Sequence, residues 1–347
     1  MPSTTRRRVT GPVFRWFALA SFLSMIAIIL TGEAVRLTSS GLGCPDWPTC
    51  FRHQVVASSS IHSKIEFGNR LVTLLLIVIV GATFIAALLR EHRRRDLEVY
   101  SGALILGVVA NAVLGAFVVY SKLNPYLVAT HLLLSLLMVV LGATLYHHSK
   151  YVYGPGARDD VRDPYFRALA RWLWIPFFVL VLTGTGATGS GPHAGSSQGQ
   201  LVARRLPFAF SSAAWIHSLA AVLFIGLVTG MLVAIWRSPV PTALKRGVRR
   251  LVYISLVQAA IGVTQYLSHL PGWLVEVHAA GAIALTIGVT QFNLRQHARD
   301  REPGTEGKTS PRPSVLSASA PNWSGRRASP PWDNCAMSEL VTAEGGP

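Results

Sequence analysis

The chain has 347 residues, 50% of them hydrophobic, and a formal net charge of +16. Its mean hydropathy of +0.40 averages long apolar runs with short basic clusters, a pattern that excludes an ordinary water-soluble core. The cationic excess sits in the gaps between those runs, which excludes nucleic acid as its purpose and points to a membrane, with its lipid, as the partner.

In chain order, residues 1–12 form a basic arm carrying Arg6, Arg7 and Arg8. The apolar run at 14–34 follows. A basic segment before an apolar run is one mark of a signal peptide, but this run is too long and no small-residue cleavage site ends it, so it reads as a retained first span. A loop with Cys44 and Cys50 comes next, then runs at 66–89, 99–120 and 126–147, completing a first half over 13–147. Residues 148–171 are a charged linker containing Gly154-Pro155-Gly156. A second half over 172–294 holds runs at 172–189, 212–236, 250–267 and 272–294. Residues 295–347 are rich in Pro, Ser, Gly and Arg and lack apolar periodicity, the composition of a disordered tail.

A spanning helix takes ~20 apolar residues, and in lipid the backbone must satisfy its own hydrogen bonds. The predicted fold is therefore an all-α integral membrane protein with eight transmembrane helices in two four-helix bundles. Arg6–Arg8, Arg90 with Arg93–Arg95, the Lys150–Arg171 stretch, Arg237–Arg250 and the residues from Arg295 onward all fall on one side of such a fold. The other side holds Arg36, Arg52, Lys64, Lys122, Arg204 and Arg205. This bias predicts a multi-pass protein of the cell membrane with both termini cytoplasmic and the loops at 36–64 and 190–211 outside. Outside, oxidation is permitted, so a disulfide between Cys44 and Cys50 is the leading reading, with two free loop thiols as the alternative. Cys335, in the tail, reads as a free thiol.

The two halves repeat one another. Gly115 precedes His131, and Gly262 precedes His278, at the same interval of 16 residues. Leu127-Val128 and Leu274-Val275 stand at matching places before those histidines, and Thr31-Gly32 matches Thr183-Gly184. Four spans separate equivalent points, so the halves are predicted to be parallel repeats. His217 lies 61 positions before His278, and Asn69 lies 62 positions before His131.

Ionisable side chains inside a span are costly and usually face a bundle interior with a partner. His217 and His278, at matched depth on neighbouring helices, suit axial ligation of a haem iron; the alternative is two separate histidines bonded to carbonyls. In the first half His131 takes the place of His278, and Asn69 that of His217. His62, Glu66 and Asn69 share one helix face at spacing i, i+4, i+7, and Arg70 follows. Glu66 is read as functional, against the alternative of a pair with Arg70 or Lys64. His62 lies at the water boundary. One half thus suits a permanent, six-coordinate electron-transfer haem, and the other a site where a porphyrin binds, is acted on and leaves. Asn111 and Gln258 are equivalent and read as interhelical hydrogen-bonders. Arg36 and Arg70 are candidate partners for haem propionates. His53, His147, His148, His193 and His269 read as solvated, and Glu33 has no account.

At these residues the sequence resembles the haem A synthase family. The resemblance rests on Thr31-Gly32, Val35-Arg36-Leu37-Thr38, Ser40-Gly41-Leu42-Gly43-Cys44-Pro45-Asp46-Trp47-Pro48 with Cys50, Ile65-Glu66 with Arg70, and Leu123-Asn124-Pro125 with His131. It covers about residues 14–294. It implies an eight-span enzyme that oxidises the C8 methyl of haem O to a formyl group, supplying haem A for cytochrome oxidase. It implies a haem b, with its iron, on His217 and His278. Haem O would lie in the first half with Glu66 as the catalytic carboxylate, His131 as a ligand of the substrate iron, and Asn69, His62 and Arg70 around it. It further implies an electron donor, with haem O synthase and a second copy of the chain as candidate partners. The family's helix-2 pattern is Glu-x-x-His-Arg, whereas this chain reads Glu66-Phe67-Gly68-Asn69-Arg70. The substrate iron is then held by His131 alone, or His62 supplies a second ligand. Two competing readings are a diheme cytochrome b, which calls for four ligand histidines, and a haem carrier or assembly module, which has no need of Glu66.

Overall fold

The computed structural model describes residues 9–51, 56–152, 164–198, 201–238, 240, 242–296 and 300–301. The expectations for the basic arm before residue 9, for His53, for the middle of the linker, and for the tail from residue 302 with Cys335 lie outside the described residues.

The helices are α1 (Gly11–Leu37), α2 (Ile61–Leu88), α3 (Arg95–Tyr120), α4 (Pro125–His148), the short α5 (Pro164–Trp172), α6 (Trp174–Ser190), α7 (Phe210–Trp236), α8 (Thr242–Leu267) and α9 (Gly272–Leu294). Among the described residues, sheet structure is limited to two-residue ladders. β1 (Tyr151–Val152) pairs antiparallel with β4 (Asp300–Arg301), and β2 (Ser197–Gln198) with β3 (Leu201–Val202). Seven helices among the described residues are long and apolar enough to cross a membrane, counting α5 and α6 together from Tyr165 to Ser190. The chain is a multi-pass, all-helical membrane protein. The eighth expected run falls in α8, which is long enough at 26 residues. It is more polar, because Lys245, Arg246, Arg249 and Arg250 open it and Gln258 and Gln265 interrupt its remainder.

Two helix connections are built alike. After α3, Lys122 and Leu123 adopt φ of 54° and 62°; after α8, His269 and Leu270 adopt φ of 62° and 61°. In each turn the last of these returns its N–H to a carbonyl five residues back, Leu123 to Val118 at 2.9 Å and Leu270 to Gln265 at 2.7 Å. This left-handed closure satisfies helix-end carbonyls that would otherwise be orphaned. Pro125 then starts α4 where its missing N–H costs nothing, and the Asn124 side chain accepts the Tyr126 N–H at 3.0 Å.

Helices α1 to α4 form a closed ring, each touching its two neighbours, and α6 to α9 pack consecutively. The first set buries Phe14, Met25, Leu76, Leu104 and Val139, and the second buries Phe177, Phe224, Val248, Leu251 and Val289. Between the sets, α4 meets α9 and α6, and α1 meets α9. Lipid is as apolar as a leucine side chain, so helix association there depends on close packing and on polar contacts between helices. Both occur. Ser21 of α1 and Thr83 of α2 share a buried hydrogen bond of 2.7 Å. A Cβ at Gly142 of α4 would stand 3.3 Å from the Cα of Phe22 on α1.

The loops at one end of the bundle are stitched across the two sets. Gly41 donates its N–H to Gly195 at 2.9 Å, Arg36 donates to the His193 carbonyl at 2.5 Å, and His193 Nε2 donates to the Leu270 carbonyl at 2.9 Å. Gly195 has φ of +96°, a backbone state open to glycine at little cost.

Candidate functional site

In the second half, α7 carries His217 and α9 carries His278. Both lie six or seven residues inside their helices, roughly 10 Å from the helix start at 1.5 Å per residue. Their ring centroids are 6.4 Å apart and the planes are nearly perpendicular, at 89°. A metal about 2.0 Å from one nitrogen of each of two opposed imidazoles sets the ring centres roughly 6 Å apart, so the pair fits an iron between them. Glycines make the room. A Cβ at Gly262 would lie 3.2 Å from His278 Cε1, and one at Gly184 would lie 2.9 Å from His217 Cε1. Thr183 sits 3.3 Å from His217 Nδ1, a second contact that fixes ring orientation and leaves Nε2 uninvolved in it. Gln258 of α8 donates to the His278 carbonyl at 2.9 Å.

The first half has the same furniture with one exchange. His131 of α4 lies against Gly115 of α3, where a Cβ would stand 3.4 Å from Cε1. Asn111 donates to Ser135 at 2.8 Å, and Ser135 donates to the His131 carbonyl at 2.8 Å, a two-step version of the Gln258 contact. The place equivalent to that of His217 is taken by Asn69 of α2, whose Oδ1 accepts from Thr31 at 2.7 Å. Thr31 and Thr183 thus hold the two equivalent side chains, an amide in one half and an imidazole in the other. Asn69 is shorter than histidine, and the space beside it is open: a Cβ at Gly32 would meet nothing within 4 Å.

Above this site the loop after α1 folds onto the start of α2. Cys44 and Cys50 are joined in a disulfide. Glu66 is buried, at 5% exposure, and both its oxygens are engaged. Oε2 accepts the Cys44 N–H at 2.7 Å, and Oε1 accepts from Arg70 at 2.6 Å. Arg70 also donates to the carbonyls of Cys44, Asp46 and Thr49 at 2.9, 2.7 and 2.8 Å. The carboxylate and the guanidinium together therefore tie the disulfide loop to α2. His62 Nδ1 is 3.0 Å from Ser40 Oγ, and Tyr120 donates to the Trp47 carbonyl at 2.8 Å. A Cβ on Gly43 would fall 2.5 Å from the His62 carbonyl, so only glycine lets the loop come this close.

The pairing of Glu66 with Arg70, set out above as the structural alternative, is thus present. Arg70 is spent on Glu66 and the loop. Arg36 is likewise held, by Glu33 and the His193 carbonyl, and Glu33 acquires its account as the partner of Arg36. Three histidines read as solvated are not. His193 bridges loops, His147 is buried at 9% exposure, and His148 lies 3.0 Å from Asp96. The Leu270 carbonyl that His193 meets and the Asp96 carboxylate beside His148 lie far off in sequence and leave no local pattern. Glu276 of α9 was missed altogether. It lies within electrostatic range of Glu33 and Arg36, and its Oε2 is buried without a hydrogen-bond partner among the described residues. The signal for it was available: an acidic residue inside an apolar run is costly unless used.

A family model described as cytochrome oxidase assembly protein, COX15-CtaA, matches residues 15–289. A relative from Geobacillus kaustophilus named heme A synthase is 35% identical over 30% of this chain and 32% of its own length. One of the same name from Lysinibacillus sphaericus is 30% identical over 38% of this chain and 43% of its length. The alignments thus span under half of these two relatives. Another of that name, from Shewanella oneidensis, is 23% identical over 80% of this chain and 95% of its length.

Proposed function

Because the chain belongs to the COX15-CtaA family of cytochrome oxidase assembly proteins, we propose that it oxidises the C8 methyl of haem O to a formyl group, making haem A. The observation that carries this reading is the pair of matched sites: two imidazoles with ring centroids 6.4 Å apart in one, and in the other a single imidazole, His131, with Asn69 held by Thr31 at the place of the second. The first suits a group that stays; the second suits one that leaves. The competing diheme cytochrome b needs a second ligand histidine where Asn69 stands.

The reading extends to architecture. The chain crosses the cell membrane eight times, α8 included, with both termini in the cytoplasm and the disulfide loop outside. Halves 13–147 and 172–294 are parallel repeats. The reciprocal contacts support this, since α4 meets α9 at the centre while α1 meets α9 and α4 meets α6 on either side. The twin left-handed turns support it again.

The reaction is an oxidoreduction at carbon. Each of two hydroxylations breaks one C–H bond of the methyl group and places one oxygen atom of dioxygen there, the other oxygen atom leaving as water with two protons and two electrons from the external donor; the gem-diol then loses water to leave the aldehyde. His131 holds the substrate iron, and the closed bundle fixes the ring against Gly115. Glu66 is the acid–base group of this half, kept from water by the loop that it anchors through the Cys44 N–H. Arg70 holds that carboxylate and the loop in register, and His62 with Ser40 closes the rim. Haem b, held by His217 and His278, supplies one-electron transfer when bound. An external electron donor is the partner this chemistry calls for, with haem O synthase and a second copy of the chain as candidates.

The test is the ratio of haem A to haem O extracted from a host that makes haem O. Expression of the chain should raise it, and Glu66→Gln should lower it at least about a hundredfold, the lower end of the range usual for losing an acid–base group, with the second half's haem retained. An unchanged ratio at equal protein level would remove Glu66 from the mechanism. Absence of haem A with the intact chain would overturn the function.

A further inference from the structure

We propose that the first half holds the porphyrin iron through His131 alone, leaving the sixth coordination position open to a small external ligand beneath the Asn69 amide. The proposal deepens the substrate-site reading and rests on it.

Three side chains of α2 are the candidates for a sixth ligand from that helix, and each is accounted for. Asn69 occupies the place of His217 but turns its Oδ1 to Thr31 at 2.7 Å. Its shorter side chain stops short of the space that an imidazole fills in the second half. There Gly184 is pressed by His217, whereas Gly32 has no neighbour within 4 Å of where its Cβ would be. Glu66 has one oxygen on Arg70 and the other on the Cys44 N–H. His62 lies seven residues from Asn69, about 10 Å along the helix axis at 1.5 Å per residue, and its Nδ1 meets Ser40 in the loop. The level set by His131 is beyond its reach.

The opposite face of the porphyrin is fixed in the ordinary way. His131 packs on Gly115 as His278 packs on Gly262. Its helix is steadied through Ser135 and Asn111 as α9 is through Gln258. One imidazole ligand and an open side flanked by a polar amide is the arrangement that admits diatomic ligands. Two imidazoles is the arrangement that excludes them and favours electron transfer. A single residue difference therefore divides the two sites into one that binds gas and one that does not.

The experiment uses the full-length protein purified from a host making haem O. Electron paramagnetic resonance of the oxidised form and carbon monoxide binding to the dithionite-reduced form are measured. One low-spin and one high-spin haem per chain, with one carbon monoxide bound per chain, is the expected result. Asn69→His should convert the high-spin signal to low-spin and reduce carbon monoxide uptake about tenfold. His62→Ala should leave both signals as they were. Two low-spin haems in the unaltered protein, or a low-spin signal that turns high-spin in His62→Ala, would overturn the open position and leave haem A formation standing. A protein that binds only the His217–His278 haem, with no porphyrin in the first half, would instead overturn the substrate-site reading itself.

Discussion

The first and second halves hold nearly the same set of side chains at their centres, and they diverge at the rim. In the second half His217 and His278 face one another across glycines, with Thr183 and Gln258 steadying them. In the first half the same threonine position holds an amide, and a disulfide-closed loop is roped to α2 by Glu66 and Arg70. The second half has no comparable clamp among its described residues. The contrast shows how a repeated bundle can be turned to two uses. The interior needs one exchanged residue; most of the new apparatus sits at the mouth, where a substrate must pass.

The sharpest way to break the comparison is to remove one imidazole of the matched pair. His217→Ala or His278→Ala should weaken haem retention in the second half at least about a hundredfold, since ligand loss exceeds the 10- to 100-fold cost of losing an outer partner. The first half's carbon monoxide binding should persist. Low-spin spectra that survive both variants would show that the pair is not the ligand set.

Next comes the clamp. Arg70→Ala strands a buried carboxylate and frees three loop carbonyls, and breaking such a pair costs about 3–5 kcal/mol. Arg70→Lys should recover only part of this, because an ammonium cannot span the same fork of acceptors. Thermal unfolding followed separately through each half's haem should show the loss in the first half. Equal shifts in both halves would mean that the clamp stabilises the whole bundle.

The apolar runs and the repeated histidines His131 and His278 were legible because each leaves a trace at fixed spacing: span length, and glycine 16 positions before histidine. The Cys44–Cys50 bridge was legible from its spacing and from the charge bias that predicts its loop to lie outside. The duties of Arg70, Arg36 and His193 were not. Their partners are mostly backbone carbonyls, which every residue carries, so no sequence feature marks which carbonyl will be used.

A smaller effect should follow opening of the disulfide. Cys44→Ser with Cys50→Ser releases a short closed loop, worth about 2 kcal/mol by chain entropy. The expected signature is faster proteolysis of the 38–50 segment with the second-half haem spectrum unchanged. Smaller again is the threonine pair. Thr183→Val removes one hydrogen bond, about 1 kcal/mol, and Thr31→Val leaves the Asn69 oxygen unpaired at about 1–3 kcal/mol. Thr183→Val should therefore weaken haem binding in the second half about fivefold, and Thr31→Val should leave it untouched.

The twin left-handed turns have a practical consequence. Lys122 and His269 are exposed, and Leu123 and Leu270 follow them in a backbone region that L-residues occupy at a cost of roughly 1–2 kcal/mol each. The molecule therefore stores removable strain at two solvent-facing points, each seven residues beyond the glycine that packs on a histidine. Lys122→Gly with His269→Gly offers a route to a hardier preparation for detergent work, with a melting point raised by a few degrees and the active machinery untouched. Stability and chemistry are in this sense separately adjustable in the protein.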